Sequence, residues 1–263
     1  MTPRGLGSSP IPSSVGPFEI DFDFDAHVLR IATLGDSRTL PLDAGTVAAF
    51  HARVMEALRQ LGIDVTIATL PNEVPDPVRF PEDHAERPYD RDWIARFHAA
   101  LVRVDHVFKL FRTGFLGKAS PVHFFWGSFD LAVTRFSGRA APPHPGGVPG
   151  LPDAVTREAY SHEVSSAGFW PGSDAYPRAA FYSYAYPAPA GFADAPVRPE
   201  AARFDASLGE FLLDYDAVRT APDPEAALLE FLQSTYDAAA TRGDWDRAAL
   251  ECAQGAARQP RKV

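Results

Sequence analysis

Hydrophobic and polar residues alternate strictly over residues 18–24, near the start of the chain. Phenylalanine or isoleucine occupies every second position and an acid stands at each position between them, which is the period of a half-buried strand. Residues 27–34 are similarly strand-like, and the Asp25-Ala26 break between the two segments predicts a hairpin. The row of acids could grip a cation, but such a row is more often a solvated sheet face, and we favour that interpretation.

Two longer segments have the three- and four-residue spacing of amphipathic helices. The first covers residues 42–61 and is followed by Gly62, which suits a helix C-terminus. The second covers residues 90–111, and its predicted buried stripe consists of Trp93, Phe97, Leu101, Val104 and Phe108. Residues 64–70 are rich in β-branched side chains and are predicted to form a strand.

In the second half of the chain, hydrophobic and polar residues alternate more often than hydrophobic residues recur at helical spacing. Its predicted elements are strands at 120–136, 160–170, 179–186 and 210–215, a Pro- and Gly-rich loop at 137–153, and a helix at 224–240. The first of these strands could instead be a hairpin that turns at Gly127-Ser128. The pattern favours an α+β fold, with mainly antiparallel β-sheet packed against three to four helices, over a doubly wound α/β fold.

Composition indicates a globular protein, because 46% of the 263 residues are hydrophobic and 22% are charged. We expect a single globular α+β domain over residues 1–245. Residues 1–17, rich in Gly, Ser and Pro, are predicted as a flexible start, and residues 246–263 as a short helix and tail. Cys252 is the only cysteine, which excludes an intrachain disulfide.

Charge and hydropathy restrict the partners. A net charge of −9 argues against nucleic acid, whose phosphates need clustered Lys and Arg. No apolar run approaches the ~18–20 residues of a membrane span, and the N-terminus lacks the apolar middle of a signal peptide. We therefore expect a cytoplasmic location, a small-molecule ligand, and neither nucleic-acid nor membrane partners.

Candidate chemistry is concentrated in residues 120–192. The chain has no phosphate-binding or dinucleotide-binding glycine motif and no nucleophile elbow. The remaining polar candidates are His123, Asp130, His144, His162 and Glu163. Two histidines and a carboxylate can bind a divalent metal and leave positions open for substrate. Without a metal, a histidine can serve as general base and a carboxylate can orient it.

These alternatives give two overlapping sets of residues. The catalytic candidates are His162, His123, Glu163 and Asp130, and the metal-ligand candidates are His123, His162 and His144. Adjacent strand residues point to opposite faces, so His162 and Glu163 serve one site only at a bulge or a strand end. A structural, hydrogen-bonded role remains open for each histidine.

Aromatic residues on the same strands indicate a pocket. Tyr182 and Tyr184 share one face of their predicted strand, and Trp126 and Trp170 lie in neighbouring segments. Stacked rings with a few polar groups are typical of small-molecule clefts, and Arg135 could bind a substrate carboxylate or phosphate. The alternative is an aromatic core between a sheet and its helices.

Three long motifs carry a family resemblance. They are KASPVHFFWGSFDLAVTRFSG at 118–138, APPHPGG at 141–147 and EAYSHEVSSAGFWPG at 158–172. Together with the strand at 18–24, they closely resemble a bacterial family of uncharacterised proteins, domain-of-unknown-function family 5996. The resemblance covers nearly the whole chain and implies a soluble, mostly bacterial protein without an assigned activity. It also implies a further N-terminal strand segment before the position of Arg4, so the first sheet is expected to lack an edge strand where that segment is missing.

Two hypotheses of function follow. The leading one is a small-molecule enzyme with a His-centred site, with or without a divalent metal, in an aromatic cleft. The alternative is a non-catalytic ligand- or peptide-binding protein whose histidines are structural. The two hypotheses differ in whether the polar side chains meet at one place. Catalysis needs at least two of them around one open cleft, whereas a binding protein needs only the cleft.

Overall fold

The computed structural model describes residues 1–74, 76–148, 150–173 and 176–255. Contacts along the chain divide it into two compact units, Met1–Val102 and Arg103–Val263. The expectation of one globular domain over residues 1–245 stays a prediction. Residues 256–263, the end of the predicted short helix and tail, lie outside the described residues.

The first unit contains a four-stranded antiparallel sheet, a two-stranded pair and a long helix. Its strands are β1 (Gly5–Gly7), β2 (Phe18–Asp23), β3 (Val28–Thr33), β4 (Ser37–Pro41), β5 (Gly45–Thr46) and β6 (Glu86–Arg87). The larger sheet has the order β1-β2-β3-β4, and β5 pairs with β6. Helix α1 covers Val47–Gln60, and α2 covers Arg91–Thr113, across the boundary between the units.

The predicted hairpin is confirmed as β2 and β3, which pair in register from Phe18↔Thr33 to Asp23↔Val28. Its turn is stabilised by Asp23, whose carboxylate accepts hydrogen bonds from the backbone amides of Asp25 and Ala26 at 3.0 and 2.8 Å. Residues 1–17, predicted as a flexible start, include β1, whose Leu6 is buried. Part of that stretch is therefore regular structure.

Two predictions about the first unit are wrong. Residues 64–70 form no strand, and Val65, Ile67 and Leu70 are exposed. Because extended chain becomes a strand only when a neighbour completes the hydrogen-bond ladder, β-branched composition was not sufficient there. Trp93, placed in the buried stripe of α2, is 65% exposed. Phe97 is half-buried, and Leu101, Val104 and Phe108 are buried as predicted.

The second unit is built on a six-stranded antiparallel sheet with the order β11-β12-β10-β9-β8-β7. Its strands are β7 (His123–Phe125), β8 (Asp130–Ala140), β9 (His162–Trp170), β10 (Ala180–Tyr186), β11 (Arg203–Asp205) and β12 (Glu210–Asp214). Its helices are α3 (Asp153–Ala159), α4 (Tyr215–Arg219), α5 (Pro224–Arg242) and α6 (Arg247–Leu250). The α+β class is thereby confirmed, and 120–136 is the hairpin alternative, turning at 126–129. Among the described residues, no helix combines the length and apolar character that crossing a membrane requires.

The six-stranded sheet has two unlike faces. Its inner face carries Phe169, Phe181 and Phe211, all essentially inaccessible to solvent, and α5 contacts β9 and β10. Its outer face carries Tyr182 and Tyr184, which alternate with the inner-face residues along β10. The apolar core of the unit thus lies on the inner face, and the outer face can carry polar groups.

Arg135 is the exception on the inner face. Its side chain is 1% exposed, and its guanidinium carbon lies 3.5, 5.1 and 4.3 Å from the ring centroids of Phe111, Phe115 and Tyr236. Nη2 donates to the carbonyl of Phe111, while Nε and Nη1 have no hydrogen-bond partner among the described residues. Burial lowers the pKa of Arg135 to about 10. The prediction of a substrate clamp is wrong, because the strand's parity directs this side chain into the core.

Replacing Arg135 tests how this buried cation affects stability. We expect Arg135→Met to leave the free energy of unfolding within about 1 kcal/mol of wild type or to raise it, because a buried charge without an ionic partner carries a large desolvation cost. The carbonyl of Phe111 would keep its hydrogen bond from the Gly114 amide at 3.2 Å. Arg135→Ala should cost about 3 kcal/mol through the cavity that it leaves. Urea unfolding measures both, and a large loss in the Met variant would contradict this account.

Candidate functional site

The outer face of the six-stranded sheet carries a row of tyrosines. Tyr182, Tyr184 and Tyr186 occupy alternate positions of β10. The rings of Tyr182 and Tyr184 stack, with centroids 6.1 Å apart and planes 15° from parallel. Burial raises the pKa of both hydroxyls well above the ordinary value for tyrosine. Both phenols therefore stay protonated at neutral pH and can donate hydrogen bonds.

Tyr182 crosses strand β9 at Gly168. Gly168 pairs with Tyr182 on β10 and with Ala132 on β8. A Cβ on Gly168 would overlap Cζ and the hydroxyl oxygen of Tyr182. Because glycine leaves that space empty, the phenol lies over the backbone of β9, and its hydroxyl donates to Oδ2 of Asp130 on β8.

Asp130 begins β8 and is only 4% exposed. Its second oxygen, Oδ1, accepts a hydrogen bond of 2.5 Å from the hydroxyl of Ser128 in the hairpin turn. The turn ends at Phe129, whose φ of 59° lies in the left-handed region that large side chains rarely adopt. Two hydroxyl donors from different elements therefore hold the Asp130 carboxyl in one orientation.

Glu210 supplies a second carboxyl to the same face. It begins β12 and lies directly opposite Asp205 of β11. Hydrogen bonds from Ser207 lower the pKa of Asp205, so this neighbour stays charged. Burial, followed by the negative charges of Asp130 and Asp205, raises the pKa of Glu210 from 4.5 to about 7. Glu210 is consequently present in both protonation states near neutral pH.

These groups line a cleft of about 300 Å³, which we call the carboxyl cleft. Its lining residues are Ser128, Asp130, Trp170, Tyr182, Tyr184, Leu208 and Glu210. None of these is basic, and neither carboxyl forms an ion pair within the part of the chain that the structure describes. A carboxyl that titrates near pH 7 can donate or accept a proton, which is the requirement for general acid–base chemistry.

Four of the predicted site residues line the carboxyl cleft: Asp130, Trp170, Tyr182 and Tyr184. Trp126 lies in the adjacent hairpin turn and is 50% exposed. His123 is a diagonal neighbour of Asp130, because its direct partner on β8 is Ala132. Burial lowers the pKa of His123, and the negative charge of Asp130 opposes that shift. Of the histidines proposed for the site, His123 is the one that lies beside a cleft residue.

The structure places His162 and Glu163 away from the cleft. His162 is exposed at the start of β9, with its Nδ1 3.1 Å from the hydroxyl of Ser161. It lies six residues from Gly168 along the strand, about 20 Å at the usual rise. Glu163 is in a 2.7 Å ion pair with Arg139. His162 is the first residue of β9, and the ladder with β8 shifts register between Phe136 and Ala140, opposite this end of the strand.

His144 has a structural environment. Its ring packs on Tyr160 and Tyr186, with centroid distances of 5.0 and 4.9 Å, and its Nδ1 accepts from the amide of Gly146 at 3.0 Å. Throughout the described residues, no group of three or more His, Cys, Asp or Glu is arranged to hold a metal ion. The structure therefore does not bring His123, His144 and His162 together as a ligand set.

Sequence reasoning missed Glu210, Ser128 and Leu208. Glu210 had one weak signal, an acid that opens the otherwise apolar strand Glu-Phe-Leu-Leu. Its role depends on β12 pairing with β10, whose partner residues, from Ser183↔Phe211 to Ala180↔Asp214, are distant along the chain. That pairing brings Glu210 to the tyrosines, and no local sequence pattern predicts it.

The fold and site define an α+β protein with antiparallel sheets and a small-molecule-sized, carboxyl-bearing cleft. The chain belongs to DUF5996, a family of unknown function, whose model matches residues 1–252. No curated protein and no solved structure matches the chain.

The crossing of the Tyr182 ring over Gly168 predicts that substitutions at these two positions have strongly coupled effects on stability. Gly168→Ala should destabilise the protein by about 1–3 kcal/mol, because the new methyl group displaces the half-buried Tyr182 ring. In a Tyr182→Ala background the same change should cost far less, since the overlapping ring is gone. Urea unfolding of the four proteins in this double-mutant cycle measures the coupling. An equal loss of unfolding free energy on Gly168→Ala in wild type and in Tyr182→Ala would contradict the contact between the two residues.

The pKa of Glu210 predicts a pH dependence of stability. A carboxyl with a raised pKa in the folded state stabilises the fold fully below its ordinary value of 4.5, and this contribution is lost as the pH rises through about 7. Relative to Glu210→Gln, wild type should lose about 3 kcal/mol of unfolding free energy between pH 4.5 and pH 8. Unfolding titrations across this range test the effect, with the exposed Glu200→Gln as control. Parallel curves for wild type and Glu210→Gln would show that Glu210 titrates normally.

Proposed function

We propose that this protein is a small-molecule enzyme that performs proton transfer in the carboxyl cleft, with Glu210 as the group that exchanges the proton. One observation carries the proposal: Asp130 and Glu210 line the same aromatic-walled cleft. Paired carboxyls in different environments are a common arrangement for acid–base catalysis. The titration of Glu210 near pH 7 supports the assignment of its role.

The two carboxyls differ in their surroundings. Asp130 is held by Tyr182 and Ser128, which suits a group that positions a ligand. The Glu210 carboxyl takes part in no side-chain hydrogen bond within the described residues, so it is available to a bound molecule. His123 stays a candidate for a second proton-transfer group because it lies beside Asp130. The proposed site is therefore centred on the carboxyls of Asp130 and Glu210, and no longer on histidines.

A non-catalytic binding protein is the second candidate, and the hydrogen bonding next to the cleft favours it. The hydroxyls of Tyr184 and Tyr160 are 2.9 Å apart, and those of Thr134 and Ser166 are 2.8 Å apart. These hydroxyls are engaged with one another, as in a preorganised wall of a binding site. In this function Glu210 would only orient the ligand.

We further propose that the protein acts in the bacterial cytoplasm, without nucleic-acid or membrane partners. A net charge of −9 supports the absence of nucleic-acid binding, because phosphates would be repelled. The lining residues of the cleft all belong to the second unit.

A ligand screen on matched variants tests the proposed function. A library of small metabolites is screened by thermal shift against wild type, Trp170→Ala, Glu210→Gln and the control Glu200→Gln. Ligands that stabilise wild type and Glu200→Gln but not Trp170→Ala occupy the carboxyl cleft. Each such ligand is then incubated with wild type and with Glu210→Gln, and products are followed by mass spectrometry.

The outcomes separate the two candidates. Conversion by wild type that falls at least a hundredfold in Glu210→Gln supports an enzyme, because removing a proton-transfer group typically costs that much or more. Binding without conversion by either protein supports the binding function. Ligands whose stabilisation is unaffected by Trp170→Ala would place binding elsewhere and contradict both.

A further inference from the structure

The size and walls of the carboxyl cleft restrict its ligand. A volume of about 300 Å³ is at the lower end of ligand pockets, so the occupant is small. The rings of Trp170, Tyr182 and Tyr184 and the side chain of Leu208 supply an apolar lining. Such a cleft suits a compact molecule with an apolar part.

The charges around the cleft are of one sign. Asp130 and Glu210 line it, and Asp205 lies directly opposite Glu210 on the neighbouring strand. Repulsion among these groups contributes to the retention of a proton on Glu210. The hydrogen bonds that Asp130 receives come from neutral hydroxyls, which orient its charge without neutralising it. An anionic ligand would add to this repulsion, and a cation would relieve it.

The aromatic lining favours the same kind of ligand. The faces of tryptophan and tyrosine rings attract cations, by roughly 2 kcal/mol or more where water is excluded. Arginine is already held in this way on the inner face of the same sheet, where Arg135 lies among Phe111, Phe115 and Tyr236. In the carboxyl cleft, the rings are present and none of the lining residues is a cation.

From the cavity, its aromatic lining and its two carboxyls, which form no ion pair among the described residues, we infer that the carboxyl cleft binds a small organic cation, a primary amine with a short apolar or aromatic substituent. The ammonium group lies between Asp130 and Glu210, and the substituent lies against Trp170 and Leu208. This inference rests on the proposed function, because it names the ligand class of the same cleft.

Binding of a cation has a consequence for protons. The titratable groups that face Glu210 are Asp130 on β8, Asp205 on β11, and Tyr182 and Tyr184 on β10. A bound ammonium favours the charged form of Glu210 and so lowers its pKa. The amine therefore binds with release of a proton near neutral pH, and its affinity should fall about tenfold between pH 8 and pH 6 as the carboxyl becomes protonated.

A pair of probes with nearly the same shape tests the inference. Benzylamine is protonated throughout pH 6–8, and benzyl alcohol is neutral. Both are titrated into wild type, Asp130→Asn, Glu210→Gln, Trp170→Ala and the control Glu200→Gln by calorimetry at pH 6 and pH 8, with ammonium chloride as a control for ionic strength. We expect benzylamine to bind wild type and Glu200→Gln at least tenfold more tightly than benzyl alcohol at pH 8, and this preference to be lost in Asp130→Asn and Glu210→Gln. The pH dependence of the affinity should disappear in Glu210→Gln.

Failure of the inference and failure of the proposed function give different results. Equal affinity for the two probes, lost in Trp170→Ala, would overturn the cation preference and leave the cleft as a site for neutral ligands. Binding of benzylamine that persists in Asp130→Asn and Glu210→Gln, or no binding to wild type, would also overturn the inference. The proposed function falls separately, when the metabolite screen finds no ligand that depends on Trp170. If Asp130→Asn does not fold, Glu210→Gln alone decides the outcome.

Discussion

The hydrogen bond from Tyr182 to Asp130 is the interaction on which the cleft depends. It connects β10 with β8 over the intervening β9, which is possible only because Gly168 presents no side chain at the crossing. The same contact fixes the Tyr182 ring and the Asp130 carboxyl, both of which line the cleft. The outer face of the sheet therefore behaves as one unit, in which ring position and carboxyl orientation cannot change independently.

The sheet separates two kinds of isolated charge. On the inner face, Arg135 is enclosed by aromatic rings with no acid as hydrogen-bond partner among the described residues. On the outer face, Asp130 and Glu210 lie beside aromatic rings with no base among the cleft's lining residues. Both arrangements carry a desolvation cost, which shifts the pKa of Arg135 down and that of Glu210 up. The difference is access: the arginine is sealed in the core, whereas the carboxyls face an open cleft that a ligand can enter.

Local patterns predicted much of the fold and part of the site. The alternation at 18–24 and the break at Asp25-Ala26 predicted the first hairpin, because period-two alternation and turn residues act over a few positions. A hairpin turning at Gly127-Ser128 was one of two alternatives for 120–136, and it is the one that the structure contains. The shared face of Tyr182 and Tyr184 followed from strand parity alone. The strand predicted at 64–70 failed because a strand needs a partner, and composition does not supply one.

The sequence by itself determined the α+β class, the hairpin of β2 and β3, and the presence of an aromatic, histidine-rich region. Tertiary structure decided which residues of that region meet. The alternation of side chains along β8 does not show which of its two faces packs in the core. Arg135 was therefore predicted to bind a substrate, whereas its side chain is buried in the core. Nor does such alternation show that β12 joins the sheet beside β10 and brings Glu210 to the tyrosines. Side-chain direction is a local property of a strand, whereas strand order is set by the burial of whole faces, and that depends on residues distant in the chain.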